Sequence, residues 1–226
     1  FAGLQDALDA LHAAGGEVSV AGLPYAQART DMACLLEGIG AGARRLGEVL
    51  HELRALPQPG VSCALDVNDV IRGAVNSMNG LIARSTQAFD VQYGATLPLV
   101  AGDASALEYV ICALIKNACE ALISTSDGIR VASRPADGGG AVVVTVQDAG
   151  TGLAAAELAR IGEPFFTTKR QRGCRGLSMY KSRRILAAHH ATLAFTPAAG
   201  GGIVATVRLP GLAAAPRRAP RGVRES

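Results

Sequence analysis

The stretch QDAGTGLAAAELARIGEPFFTTK, Gln147 to Lys169, decides how the chain is read. It ends the apolar run AVVVTV (141–146) on an acid, Asp148, followed by Gly150 and Gly152 in the pattern Asp-x-Gly-x-Gly. A short helical segment follows, and then Phe165, Phe166, Thr167, Thr168 and Lys169. Aromatic residues make up only 4% of the chain, so two adjacent phenylalanines among polar neighbours need a reason. Asp148 falls at a strand end, where ligands gather in α/β sheets. Gly150 and Gly152 let the backbone turn sharply and approach a ring or a phosphate. Taken alone, Asp-x-Gly-x-Gly is equally a plain turn, and the phenylalanines are equally a core plug.

Segments on either side of this stretch add weight. DASALEYVICALIKNACEALIS (103–124) is an amphipathic helix, with Asp103 or Ser105 available as its cap. Val110, Ala113, Leu114, Ala118, Ala121 and Leu122 form its apolar face, and Lys116, Asn117 and Glu120 lie on or near another. Asn117 offers a neutral oxygen of the kind magnesium accepts, and magnesium at nucleotide sites takes few protein ligands. The plainer reading is a solvent-facing asparagine. At Asp148, a carboxylate can accept a hydrogen bond from the exocyclic amine of adenine. Phe165 and Phe166 sit as a hinge beside Lys169, which can meet phosphate as a point charge. The next residues, RQRGCRGLS (170–178), are basic, contain glycine and open a helix, an arrangement that binds anions through backbone amides. The chain has no glycine-rich segment ending Gly-Lys-Ser/Thr, so a Walker-type loop is excluded.

The order of these pieces is more specific than any one of them. The Asn117 helix, Asp148-x-Gly150-x-Gly152, Phe165 to Lys169, the turn Gly173-x-x-Gly176-Leu177-Ser178 and the closing VRLP (207–210) resemble the catalytic ATP-binding domain of sensor histidine kinases. That domain is part of a superfamily with gyrase, Hsp90 and MutL. The resemblance covers about Leu65 to Pro210. It implies an α/β sandwich that binds ATP and Mg2+, with Asn117 as metal ligand, Asp148 on adenine, Gly150 and Gly152 shaping the adenine pocket, and an ATP lid running from Phe165 and Phe166 to Gly176. The ATP-binding set expected from it is Lys116, Asn117, Glu120, Asp148, Gly150, Gly152, Phe166, Thr168, Lys169, Gly173, Gly176 and Leu177.

Upstream, Leu4, Leu8 and Leu11 have helical spacing, and GGEVSVAGLP breaks the pattern. Periodicity resumes over 25–56, through Met32, Leu35, Leu36, Ile39, Ala43, Leu46, Leu50 and Leu53, until Pro57 and Pro59 stop it. The expected fold is therefore α+β. An N-terminal antiparallel helical hairpin (1–58), able to dimerise as a four-helix bundle, precedes an ATP-binding domain at 61–211 with a mixed sheet and helices on one face. A disordered basic tail, 212–226, is expected after it.

Within 61–211, strands are expected at VSCALDV (61–67), AFDVQYG (88–94), and in two hairpins, GIRVASR with AVVVTVQDAG and then ATLAFTPAAGGGIVATVRLP. Helices are expected at 68–85, 103–124 and 178–190.

The same resemblance implies a histidine autokinase that passes phosphate from ATP to a hairpin histidine and then to an aspartate of a response regulator. His51, in HELRALP, resembles the phosphoacceptor motif His-Glu-x-x-Thr-Pro, but Ala55 and Leu56 depart from it. Asn117 comes 66 residues after His51, and a turn and a whole second hairpin helix must fit between the acceptor and the ATP domain, yet Pro57, Pro59 and an expected strand follow His51 almost at once. The acceptor is expected upstream of Phe1, leaving His51 and His12 as ordinary helix residues. Other departures are Cys174 in the glycine turn, His190 where the family has glycine, Ile203 and Val204 in place of a threonine beside adenine, and Ala113 in place of asparagine. They leave open an alternative, a weak pseudokinase or phosphotransfer scaffold that docks a response regulator.

Composition sets the outer limits. A net charge of +3 with 18% charged residues gives no nucleic-acid footprint. Five scattered cysteines without a Cys-x-x-Cys pair favour reduced cytosolic thiols, with Cys34, Cys63, Cys112 and Cys119 as small core residues. No apolar run reaches the ~20 residues of a membrane span, and no signal peptide is expected. The expectation is a cytoplasmic homodimer, tied to a membrane only through segments absent from this chain.

Overall fold

The computed structural model describes residues 10–11, 19–20, 23–24, 27, 31, 34–35, 37–43, 63–169 and 176–212. The chain divides into two compact units, Phe1–Arg54 and Ala55–Ser226. In the first, residues 10–11, 27, 31, 34–35 and 37–43 are helical. The segment that breaks the periodicity forms a short antiparallel ladder, β1 (Ser19–Val20) against β2 (Leu23–Pro24). The rest of the expected hairpin, including His12 and His51, lies outside the described residues, as do 213–226 of the expected tail.

The second unit is built on a five-stranded mixed sheet. Its strands are β4 (Ala88–Gln92), β6 (Gly128–Pro135), β7 (Ala141–Asp148), β8 (Thr192–Pro197) and β9 (Ile203–Pro210), in the order β4-β6-β7-β9-β8. Only β4 and β6 run parallel. A parallel pair needs a crossover, and helix α2 (Ala104–Ala121) lies within that connection. The other strands are joined as the two expected hairpins, β6–β7 and β8–β9. Helices α1 (Val67–Ser85), α2, α3 (Ala155–Arg160) and α4 (Ser178–Ala188) complete the unit.

The core forms where one face of the sheet meets the helices. From the sheet come Ile129, Val131, Val142, Val144, Val146, Ala205, Val207 and Leu209. They pack with Ile71 and Ala74 of α1, Val110, Ile111, Leu114, Ile115 and Ala118 of α2, and Met179, Ile185 and Leu186 of α4. The period-2 alternation of a strand explains the sheet's share, and the 3.6-residue period explains the helices'. Val142, Val144 and Val146 are each buried, and Asp148 continues the same row. The strand therefore delivers a carboxylate to the helix-covered face, just where the hydrophobic row ends.

Caps fix the helix starts. Asp66 accepts from Asn68 N at 2.8 Å and opens α1. Asp103 accepts from Ala106 N at 3.1 Å and opens α2. A buried polar knot ties α1 to the sheet. Ser133 Oγ donates to Asn68 Oδ1 at 2.6 Å, Asn68 Nδ2 donates to Gly94 O at 3.0 Å, and Gly94 N donates to Ser133 Oγ at 2.9 Å. At the far end of α4, His189 Nε2 accepts from Asp103 N at 3.0 Å, which joins that helix to the start of α2. His190 takes a left-handed φ of 53°, a strain of about 1–2 kcal/mol.

Three expectations change. The strand expected over 61–67 spans only Cys63–Leu65 (β3), because the Asp66 cap starts α1 at Val67. Its partner, β5 (Val100–Gly102), was not expected at all. Cys63 and Cys34 are exposed rather than core residues, while Cys112 is half-buried and Cys119 buried. Cys63 stands at the Gly102 end of the β3–β5 ladder, while the core-packed pair Leu65 and Val100 is at the other end. No helix among the described residues is long and apolar enough to cross a membrane.

Candidate functional site

Asp148 is 6% exposed, unusual for a carboxylate. Burial pushes its pKa above the ordinary aspartate value. The backbone amides of Gly150 and Ile203 and the positive charge of Lys169 act against that rise without cancelling it. Gly150 N donates to Asp148 Oδ1 at 2.9 Å, which shapes the first turn after the strand.

Glycines make the close approaches possible. A Cβ on Gly150 would collide with the backbone carbonyl of Ala121, at the end of α2. Thr151 N donates to that same carbonyl at 3.2 Å, so the turn after β7 is fastened to the helix carrying Asn117. Gly152 has φ 67° and faces Gly202. Gly202, at φ 81°, leaves no room for a Cβ against Asp148 O. The Gly200-Gly201-Gly202 turn before β9 is thus a wall of the site. In the sequence it reads only as a hairpin turn, although three consecutive glycines before a final strand are an available signal.

The segment after α3 reaches back over α2. Lys169 Nζ lies 3.4 Å from Asn117 O and 3.5 Å from Glu120 Oε2. Both ends of that ion pair are about one-quarter exposed, 26% for Lys169 and 24% for Glu120. Lys116, more exposed, stands 3.9 Å from Glu120 Oε1. Phe166 is half-buried beneath the Arg160 guanidinium, 4.3 Å from its ring centroid. Phe165 is exposed and holds a left-handed φ of 64°. Gly176, φ 69°, lies directly against the backbone of this pair.

The structure therefore brings Asn117, Glu120, Lys169, Asp148, Gly150 and Gly152 into one neighbourhood, with Phe166 and Gly176 packed beside the segment that supplies Lys169. Lys116 joins at the edge. Thr168 is exposed, and Leu177 is buried at the start of α4, where it serves packing. Gly173 lies outside the described residues. Gly201, Gly202, the Ile203 amide and Arg160 were not anticipated. Ile203, noted in the sequence as a lost threonine, contributes to Asp148 through its backbone, which no side-chain substitution removes.

Among the described residues no group of three or more His, Cys, Asp or Glu could hold a metal unaided. Asn117 and Glu120 carry side-chain oxygens of the hard kind magnesium accepts, while the Lys169 ammonium meets the main-chain carbonyl of Asn117 and the carboxylate of Glu120.

Residues 102–212 match the family described as histidine kinase-, DNA gyrase B- and HSP90-like ATPase, and that domain of the chain belongs to the family. Two curated relatives narrow the class. The C4-dicarboxylate transport sensor protein DctS of Rhodobacter capsulatus is 34% identical over 180 residues, covering 77% of this chain and 27% of the relative. The sensor histidine kinase ZraS of Salmonella typhi is 30% identical over 177 residues, covering 76% of this chain and 36% of the relative. Among solved structures, the catalytic domain of the histidine kinase ThkA aligns with a TM-score of 0.59 at 22% identity, over 66% of this chain and 95% of that one. Full-length ShkA in complex with AMPPNP aligns with a TM-score of 0.61 at 22% identity, over 90% of this chain and 42% of that one. The domain is a sensor histidine kinase ATPase domain. The chain spans only 27 to 36% of the length of the two curated relatives.

Proposed function

We propose that the chain is the ATP-dependent autokinase core of a two-component system, passing phosphate from ATP to a histidine on the helical hairpin and then to an aspartate of a response regulator receiver domain. The observation that carries the reading is the pairing of a buried Asp148 at the end of β7 with Lys169 reaching the Asn117–Glu120 turn of α2. In this reading Asp148 accepts from the adenine amine, and Gly150, Gly152 and Gly202 let the ring approach the backbone. Asn117 ligates Mg2+, with Glu120 beside it, and Lys116, Lys169 and the turn at Gly176 face the phosphates. The bound ion supplies charge neutralisation on the phosphates. The protein's own work is positioning, as phosphoryl transfer requires little covalent chemistry from side chains.

The hairpin would dimerise two chains and present the accepting histidine. The names of the relatives, two of them sensor proteins, support placing the chain in a signalling kinase, and action on the cytoplasmic side is part of the proposal. The test is transfer of label from γ-labelled ATP by the full-length protein. Acid-labile, base-stable label on histidine that moves to a receiver domain is expected. Efficient ATP binding without any labelled histidine would contradict it and leave the scaffold reading.

A further inference from the structure

Arg160, the last residue of α3, touches the segment that follows it twice. Its Nε donates to Glu163 Oε2 at 3.1 Å, and its guanidinium carbon stands 4.3 Å from the centroid of the Phe166 ring. The main chain closes the same loop, since Glu163 N donates to Arg160 O at 3.0 Å and Phe166 N to Glu163 O at 3.2 Å. The base of the loop is packed on α4, where Gly162, φ 93°, leaves the place of a Cβ to the Arg183 side chain. On its far side Gly176 lies directly against the backbone of Phe165 and Phe166. Phe165 takes its left-handed φ of 64° in between, a conformation that persists only where the surroundings enforce it. Arg160 is itself 57% exposed, so burial in the core does not explain its placement. Three residues beyond Phe166 stands Lys169, whose Nζ meets the main-chain carbonyl of Asn117 at 3.4 Å and the Glu120 carboxylate at 3.5 Å. Three residues of chain reach about 10 Å at most, so where Phe166 is held decides whether Lys169 reaches α2.

We infer that Arg160 is a positioning residue for recognition of the nucleotide's phosphates: stacked on Phe166 and tied to Glu163, it fixes the turn from which Lys169 extends. It acts through Lys169 rather than on the ligand, by setting how often the ammonium stands ready at the site. The inference rests on the proposed facing of Lys169 to the phosphates. It also separates two parts of one ligand. Asp148 and its glycines are held by β7, the end of α2 and the Gly202 turn, none of which needs Arg160. Recognition of adenine is therefore independent of Arg160, and recognition of phosphate depends on it.

The experiment uses the whole chain, as wild type, Arg160→Ala, Arg160→Lys, Phe166→Leu, Lys169→Met and the double variant R160A/K169M. A fluorescent ATP analogue is titrated into each, and adenosine affinity is read by displacement of the analogue. Loss of an exposed cation–π contact and a surface ion pair predicts roughly fivefold weaker analogue binding in R160A. Adenosine affinity stays at the wild-type value. R160K keeps a cation near the ring but loses the flat stack, and falls between R160A and wild type. F166L, a second probe of the same contact, keeps an apolar side chain without the ring face and matches R160A. Because Arg160 acts through Lys169, the double variant binds the analogue no more weakly than K169M alone. Wild-type analogue affinity in R160A overturns the inference. So does an equal loss for adenosine, the mark of a general structural role, or a double variant weakened by the product of the two single losses. Hydrogen exchange of residues 163–169 without nucleotide, followed by mass spectrometry, separates this role from the ATP reading. Roughly fivefold faster exchange in R160A and F166L, with a wild type that binds no analogue, defeats the ATP reading alone. Analogue binding by wild type, with exchange and affinity unaltered in R160A, defeats the positioning role alone.

Discussion

Asp148 shows how one side chain carries a functional cost. Its carboxylate is buried at the end of a valine row, and burial raises its pKa despite the two amides and the lysine charge that oppose the rise. An acid whose folded pKa is raised holds its proton more tightly in the folded state. Its contribution to stability is fully present below the unfolded value of about 4 and is lost as pH rises through the folded value. Asp148→Asn removes that penalty while keeping an oxygen to accept from Gly150. We expect D148N, without nucleotide, to melt a few degrees above wild type at pH 7, with the gap closing near pH 4. Thermal unfolding at the two pH values checks this, and an equal gap at both would contradict it. The acid and the glycines of 148–152 were legible in the sequence because they interrupt an apolar run. Gly202 was not, because its role comes from a close approach to Asp148 across the β7–β9 pairing, which no local pattern encodes.

Elements were legible where a single strong period ran through them. Helix α2 and the β6–β7 and β8–β9 hairpins follow from apolar spacing and turn residues, and of the two caps open in the sequence, Asp103 and Ser105, the acid serves. The failures have physical causes. Strand β5 has three residues, too few to show a period, and exists through its pairing with β3. The strand expected at 61–67 overran because Val67 fits either a strand or the first turn of a capped helix, and the Asp66 cap decided for the helix. Asn68 is a polar residue in the first turn of α1 that no periodicity marks as buried, yet it anchors that helix to the sheet through Ser133 and Gly94. Asn68→Ala removes an acceptor and a donor together and should cost about 1–3 kcal/mol. Urea unfolding measures it, and a loss below a few tenths of a kcal/mol would show that the knot does not hold the helix.

At the scale of the whole molecule, the mixed sheet explains why the site lies where it does. The inward row of β7 runs out at Asp148, the Gly150 turn is fastened to the end of α2, and the segment after α3 returns a lysine to the same helix. Three stretches far apart in sequence thereby meet, which is why the ordered motif set was informative while each motif alone was not. The central claim is that this meeting place holds a nucleotide with its metal. Its most direct test is titration of a fluorescent ATP analogue into the chain with and without Mg2+, for wild type and Asp148→Ala. The account predicts binding in the micromolar range that strengthens with Mg2+ and falls at least tenfold in D148A, a loss of about 1.4 kcal/mol or more. Equal affinity in wild type and D148A, or no binding by a folded wild-type chain, would contradict it.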